Sequence, residues 1–152
     1  MHSLEVVTTA DLDALVAIEQ LATPYPWSRA LFESCLQNDY LNYTLRHDEQ
    51  LIGYYFSQQL LDELTLFNIT VVPEQQGKGY GRQLLHHMME QARECGCQQI
   101  WLEVRASNHN AIALYRSAGF QPSGVRKGYY QNTAGQEDAL VMRCTVATST
   151  TE

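Results

Sequence analysis

No stretch of this sequence stays apolar for anything near the length of a membrane span, and residues 1–5 lack the basic and apolar blocks of a secretory signal. A cytoplasmic protein without a membrane partner is the expectation. Cysteine is sparse: Cys35, Cys95, Cys97 and Cys144 are scattered apart from one Cys-Gly-Cys pair, which is tighter than zinc or thioredoxin spacings and has no second pair to complement it. Reduced thiols and no metal are expected. Low-complexity tracts, internal repeats and linkers are also missing, and 152 residues at 45% hydrophobic content suit one ordered domain, residues 1–147, with a frayed tail at 148–152. A pI near 5.1 argues against nucleic acid as a partner. A monomer is the expectation.

The net charge of −7 is unevenly spread. Residues 1–75 hold eleven acids against Arg29 and Arg46, a balance of −9, whereas residues 76–130 hold three acids against seven bases, a balance of +4. Opposite signs suit two kinds of ligand: an anion for the basic stretch and a cationic amine or basic peptide for the acidic half. The plainer alternative is an acidic surface that only keeps the protein in solution.

The basic stretch contains the most informative segment, from Asn68 to Leu85. A β-branched run breaks at Pro73, passes through glycines at 77, 79 and 81, and continues into a helix. Glycines at alternate positions let backbone N–H groups converge, and the helix start adds open donors and partial positive charge, a combination suited to phosphate oxygens. A dinucleotide fingerprint fails here, because its sixth place falls on Arg82 or Leu84. A P-loop fails too, since Gly77-Lys78 is followed by Gly79 instead of Ser or Thr.

Along the chain, the spacing predicts strands at 4–8, 42–47, 51–59, 63–72, 98–105, 120–129 and 138–146 and helices at 10–22, after Ser28, at 80–94 and at 108–118. Thr8 or Thr9 caps the first helix, with Leu12, Leu15, Val16, Leu21 and Ala22 facing inward. The segment Pro24-Tyr25-Pro26-Trp27 reads equally as a buried connection or a substrate-facing loop. The order is strand, two helices, three strands, helix, strand, helix, two strands. One crossover helix makes the strands at 63 and 98 parallel, so the fold class is α/β with a mixed, mostly antiparallel seven-stranded sheet flanked by four helices. Adjacent His86 and His87 point about 100° apart on a helix and read as solvent-facing rather than metal-binding.

The run Gln76-Gly77-Lys78-Gly79-Tyr80-Gly81 resembles the coenzyme A signature Gln/Arg-x-x-Gly-x-Gly/Ala of the GCN5-related N-acetyltransferases. Further stretches match the same family: Leu102-Glu103-Val104-Arg105-Ala106-Ser107-Asn108, Ala111-Ile112-Ala113-Leu114-Tyr115, Gly119-Phe120, Tyr25-Pro26-Trp27-Ser28, Leu66-Phe67-Asn68-Ile69 and Tyr129-Tyr130. The likeness is greatest to the family's branch that acetylates the N-terminal alanine of a small-subunit ribosomal protein. It implies an acetyl-CoA-dependent acyltransferase whose acceptor is the N-terminal peptide of a basic ribosomal protein. It also implies that the strands at 63 and 98 splay to admit the pantetheine arm, with Ile69, Thr70 and Val71 offering backbone amides and Val71 polarising the thioester carbonyl.

Such a transfer needs a base, because a protonated amine cannot attack, and the leaving thiolate benefits from an acid. Glu103 and Tyr115 fit these roles within the matched motifs; by residue type alone they are equally an exposed strand acid and a core aromatic. Asn108 caps a helix by type and contacts the cofactor by resemblance. Lys78 and Arg82 add charge toward the pyrophosphate or point into solvent. Two alternatives stay open: the same fold acting on another amine (protein lysine, polyamine or aminoglycoside), and a non-catalytic acetyl-CoA-binding module.

Overall fold

The computed structural model describes residues 2–146. The fraying expected of the last residues lies outside the described range. Within it the elements are β1 His2–Val6, α1 Leu12–Ala22 entered through a 3-10 turn at Thr9–Asp11, α2 Arg29–Ser34, β2 Tyr40–His47, β3 Gln50–Leu60 and β4 Glu63–Val71. There follow α3 Tyr80–Glu94, β5 Gln99–Arg105, α4 His109–Ser117, β6 Gln121–Asn132 and β7 Gly135–Thr145. The first strand starts and ends earlier than the sequence suggested, because its pairing with β2 runs from His2 opposite His47 to Val6 opposite Tyr43. The last hairpin is longer, closing at Asn132 opposite Gly135.

The seven strands form one sheet in the order β1-β2-β3-β4-β5-β7-β6. Every neighbouring pair is antiparallel except β4 and β5, which the α3 crossover makes parallel. Alternation along the strands sends side chains to two cores. On one face Leu64, Leu66, Leu102 and Val104 meet Leu84, Leu85 and Met88 of α3 and Tyr115 of α4. On the other, Tyr54 and Phe56 of β3 meet Leu12, Leu15 and Phe32 of α1 and α2.

α1 departs from expectation in a telling way. Leu21 is 74% exposed, while Glu19 is 3% exposed and points inward with Leu12 and Leu15. Glu19 lies on the helical stripe set by those leucines, at i+7 and i+4, and Leu21 does not. His87 also differs: its ring is half-buried against Tyr43 and Tyr55, and its Nδ1 lies 2.9 Å from the Tyr55 hydroxyl. Only His86 of the pair is exposed.

One interruption of the sheet positions everything that follows. The β4–β5 ladder joins Glu63–Leu66 to Gln99–Leu102 and then stops, although both strands run on to Val71 and Arg105. At the same level the β3–β4 register slips between Phe56 and Ser57, so that Phe67 has no opposite number, the two-versus-one count of a β-bulge. The bulge bends β4 away and opens a split in the middle of the sheet.

Candidate active site

The split is walled first by backbone. The Val72 amide donates to the Ile52 carbonyl at 2.8 Å, so β4 alternation turns the amides of Ile69 and Val71 the other way, into the split. Thr70 lines the same cavity, but the alternation turns its amide toward β3; of the three backbone donors expected, two face the opening. Its hydroxyl donates to the Asn68 side-chain carbonyl at 2.7 Å. The Val71 carbonyl, also facing the split, accepts from Gln76 Nε2 at 3.1 Å, which ties the glycine loop to the strand end.

Two adjoining cavities occupy this region. One, of about 600 Å³, lies between the β4–β5 split and the α1–α2 loop, with Thr70 and Glu103 in its wall. The other, of about 460 Å³, lies between the start of α3 and α4 and is bounded by Gly77, Tyr80 and Gly81. Ile69, Val71, Gln76, Asn108 and Tyr115 wall both, so the two form one continuous path. Gly77 and Gly79 hold φ of +79° and +89°, the left-handed region that glycine adopts without penalty, and Gly79 is the N-cap of α3. Lys78, Gly79 and Arg82 wall neither cavity; Lys78 is exposed and donates to Gln75 Oε1 at 3.2 Å, and Arg82 is exposed.

Asn108 performs the capping role, its Oδ1 accepting from the Ala111 amide at 3.2 Å, while its side of α4 also borders both cavities. Tyr115 is buried and its ring lies 5.9 Å from that of Phe120, so it is a core aromatic and a cavity residue at once. Burial, with Tyr130 nearby, pushes its hydroxyl well above the ordinary tyrosine value. At neutral pH it is therefore a standing proton-bearing donor.

Glu103 approaches from the opposite face of β5, since Leu102 and Val104 on either side are buried in the α3–α4 core. Its carboxylate is ion-paired with Arg126 of β6, whose own side chain is 60% exposed. Among the described residues no three His, Cys, Asp or Glu side chains gather in a manner that could hold a metal ion.

Three features of the cavity were not among the expected site residues. Tyr130 of β6 lines it, and burial followed by the charge of Glu103 raises its hydroxyl above the usual value. Arg105 is sandwiched between rings from distant segments, 3.5 Å from the centroid of Tyr25 and 4.4 Å from that of Tyr130, and pairs with Glu137 at 3.1 Å. That stack joins the α1–α2 loop to the last hairpin. The segment Pro24-Tyr25-Pro26-Trp27 is a connection anchored in the core through Trp27 that also walls the cavity: Tyr25 and Trp27 border it, and the Trp27 ring packs 5.2 Å from Phe32 and 5.6 Å from Phe56. The third is Glu19, the buried carboxylate of α1.

A family model described as "Acetyltransferase (GNAT) family" matches residues 12–120. The chain is 44% identical to the [ribosomal protein bS18]-alanine N-acetyltransferase of Escherichia coli K12, an alignment of 142 residues spanning 93% of this chain and 96% of that one. With the enzyme of the same description from Haemophilus influenzae the identity is 41%, over 95% of this chain and 99% of the other. The crystal structure of the ribosomal-protein-S18-alanine N-acetyltransferase from Escherichia coli superposes with a TM-score of 0.93 at 41% identity, covering 99% of this chain and 97% of that one. A sheet parted between its two parallel strands, a glycine loop feeding a helix start, and these likenesses along nearly the whole chain lead to one assignment: this chain belongs to the GNAT acetyltransferase family.

Proposed function

We propose that this chain transfers the acetyl group of acetyl-CoA to the N-terminal amine of ribosomal protein bS18, with Glu103 as base and Tyr115 as proton donor. The chemistry is carried by one observation: Glu103 and Tyr115 reach the same cavity from opposite faces of β5, at the level where β4 and β5 part. The acceptor is carried by the 44% identity, since the relative is described as acting on the alanine of that protein.

The fit of acetyl-CoA rests on the path itself. The open first turn of α3 and the loop at Gly77 and Gly79 suit the pyrophosphate, the amides of Ile69 and Val71 suit an extended amide-bearing arm, and Asn108 and Tyr115 border the junction of the two cavities. Acetyl-CoA supplies an activated acyl group, so acyl transfer to an amine needs no metal. From the acceptor side, Glu103 takes a proton from the ammonium and the freed amine nitrogen forms a bond to the acetyl carbon. The Val71 amide donates to the carbonyl oxygen as negative charge builds there; the carbon–sulfur bond then breaks as Tyr115 gives its hydroxyl proton to the departing thiolate and is restored by the second proton that the nitrogen sheds on becoming an amide, while the proton on Glu103 passes to solvent. The products are the N-acetylated peptide, the CoA thiol and one proton passed to solvent.

Peptides copying the bS18 N-terminus, with the amine free or blocked, test the assignment by mass spectrometry after incubation with the protein and acetyl-CoA. The expected result is one acetyl group on the free α-amine, matched by one thiol released. Acetyl on an internal lysine of the blocked peptide would move the acceptor to protein lysines, and cofactor binding without acceptor-dependent thiol release would leave only a binding module.

A further inference from the structure

Glu19 is charged, 3% exposed and faces the cavity, yet the chemistry above does not use it. An isolated carboxylate taken out of water is costly, and one that persists is fully bonded. Its donors come from three separate segments. The Trp27 amide in the α1–α2 loop reaches Oε2 at 3.0 Å, the Tyr54 hydroxyl on β3 reaches Oε1 at 2.6 Å, and the Asn68 side-chain amide on β4 reaches the two oxygens at 3.1 and 3.2 Å. Burial and the neighbouring Glu19 charge raise the Tyr54 hydroxyl, which keeps it a donor. A carboxylate offers about four acceptor sites, and all are engaged. Glu19 therefore has no capacity left to take a proton from the acceptor, in contrast to Glu103.

What the bonds do is mechanical. Asn68 is adjacent to Ile69, whose amide faces the split, and its side-chain carbonyl accepts the Thr70 hydroxyl at 2.7 Å. Trp27 belongs to the loop that, with Tyr25, lines the same cavity. One carboxylate thus ties together two parts of the cavity wall: the strand whose Ile69 amide faces the split and the α1–α2 loop. We infer that Glu19 is a positioning residue that sets the separation between the α1–α2 loop and β4, and through it the affinity for the acceptor peptide. The inference rests on the proposed acyl transfer, in which the acceptor occupies the cavity on this side.

Glu19→Gln keeps the shape but turns one acceptor oxygen into a donor facing donors. In the full-length protein its acceptor-peptide KM should rise about tenfold, the effect of losing one charge-assisted hydrogen bond. Saturating kcat and the KM for acetyl-CoA should stay within about twofold, because the glycine loop and Tyr115 are untouched. Tyr54→Phe removes one donor and leaves the charge, and should raise the acceptor KM by a smaller factor. An unchanged acceptor KM in Glu19→Gln, or an equal loss in acetyl-CoA KM, would overturn the inference; should Glu19→Gln fail to fold, an unchanged acceptor KM in Tyr54→Phe would do so. Hydrogen exchange at the Trp27 amide supplies an arm that needs no acceptor. Exchange should quicken in Glu19→Gln even if the wild type proves not to acetylate the peptide, and unaltered exchange would refute the anchor itself.

Discussion

Glu103 and Glu19 border one cavity and differ in what remains open to them. Four hydrogen bonds occupy Glu19, whereas Glu103 is held by one exposed guanidinium, so only the latter has lone pairs open to an approaching amine. Glu103→Gln should accordingly lower kcat by about 10²–10⁴-fold, the usual worth of a general base, while acetyl-CoA still binds. Tyr115 contributes differently. Its raised pKa keeps the hydroxyl protonated until a departing thiolate can take the proton, so Tyr115→Phe should cost about 10²-fold in turnover with acetyl-CoA affinity unchanged. Steady-state kinetics beside calorimetric binding separates the two effects. Equal turnover in wild type and Tyr115→Phe would remove the tyrosine from the chemistry.

At the level of elements, the glycine loop and the helix after it divide their work unevenly. A Cβ on Gly79 would meet nothing within 4 Å, yet its φ of +89° would strain any other residue. Gly79→Ala should lose about 1–2 kcal/mol of stability from that backbone conformation alone. Gly81 has no such φ, and a Cβ there would sit 3.5 Å from the Leu114 side chain, an ordinary contact, so Gly81→Ala should lose none; urea unfolding of the pair tests the contrast. On α3, burial lowers the pKa of His87 from 6.5. The unfolded chain then takes up a proton more readily than the folded one, so the stability this histidine contributes is present above about pH 6.5 and is lost as pH falls below it. The drop in melting temperature from pH 7 to pH 5 should be smaller in His87→Gln than in wild type, and identical slopes would contradict the linkage.

These elements also mark where sequence reading stops. The strand–loop–helix at 68–85, the parallel crossover and the meander before it were legible, because they depend on local periodicity and on glycine and proline at fixed offsets. Glu19 was legible in principle, as the one acid on the stripe of Leu12 and Leu15. The direction of the Thr70 amide was not, since it depends on which ladder position opposes Tyr54 across a bulge at Phe67. Nor was the Tyr25–Arg105–Tyr130 stack, which joins side chains far apart in the chain through tertiary contact alone.

Across the whole molecule, the charge asymmetry of the sequence translates only partly into the site. Of the acids in residues 1–75, Asp11 and Asp13 pair with Arg46 and Arg29, and the cavity wall holds Glu19, whose lone pairs are engaged by neutral donors. The architecture itself is organised by the break in the sheet: β4 and β5 part past Leu66 and Leu102, at the level of the β4 bulge at Phe67, and both proposed reacting groups converge there. A crystal structure of the protein with acetyl-CoA tests this most directly. It should show the thioester oxygen about 3 Å from the Val71 amide, a normal hydrogen-bond length, with the sulfur beside Tyr115 and the pyrophosphate on the loop before α3. Acetyl-CoA bound away from the split, or lying in it with its thioester remote from both Val71 and Tyr115, would contradict the account.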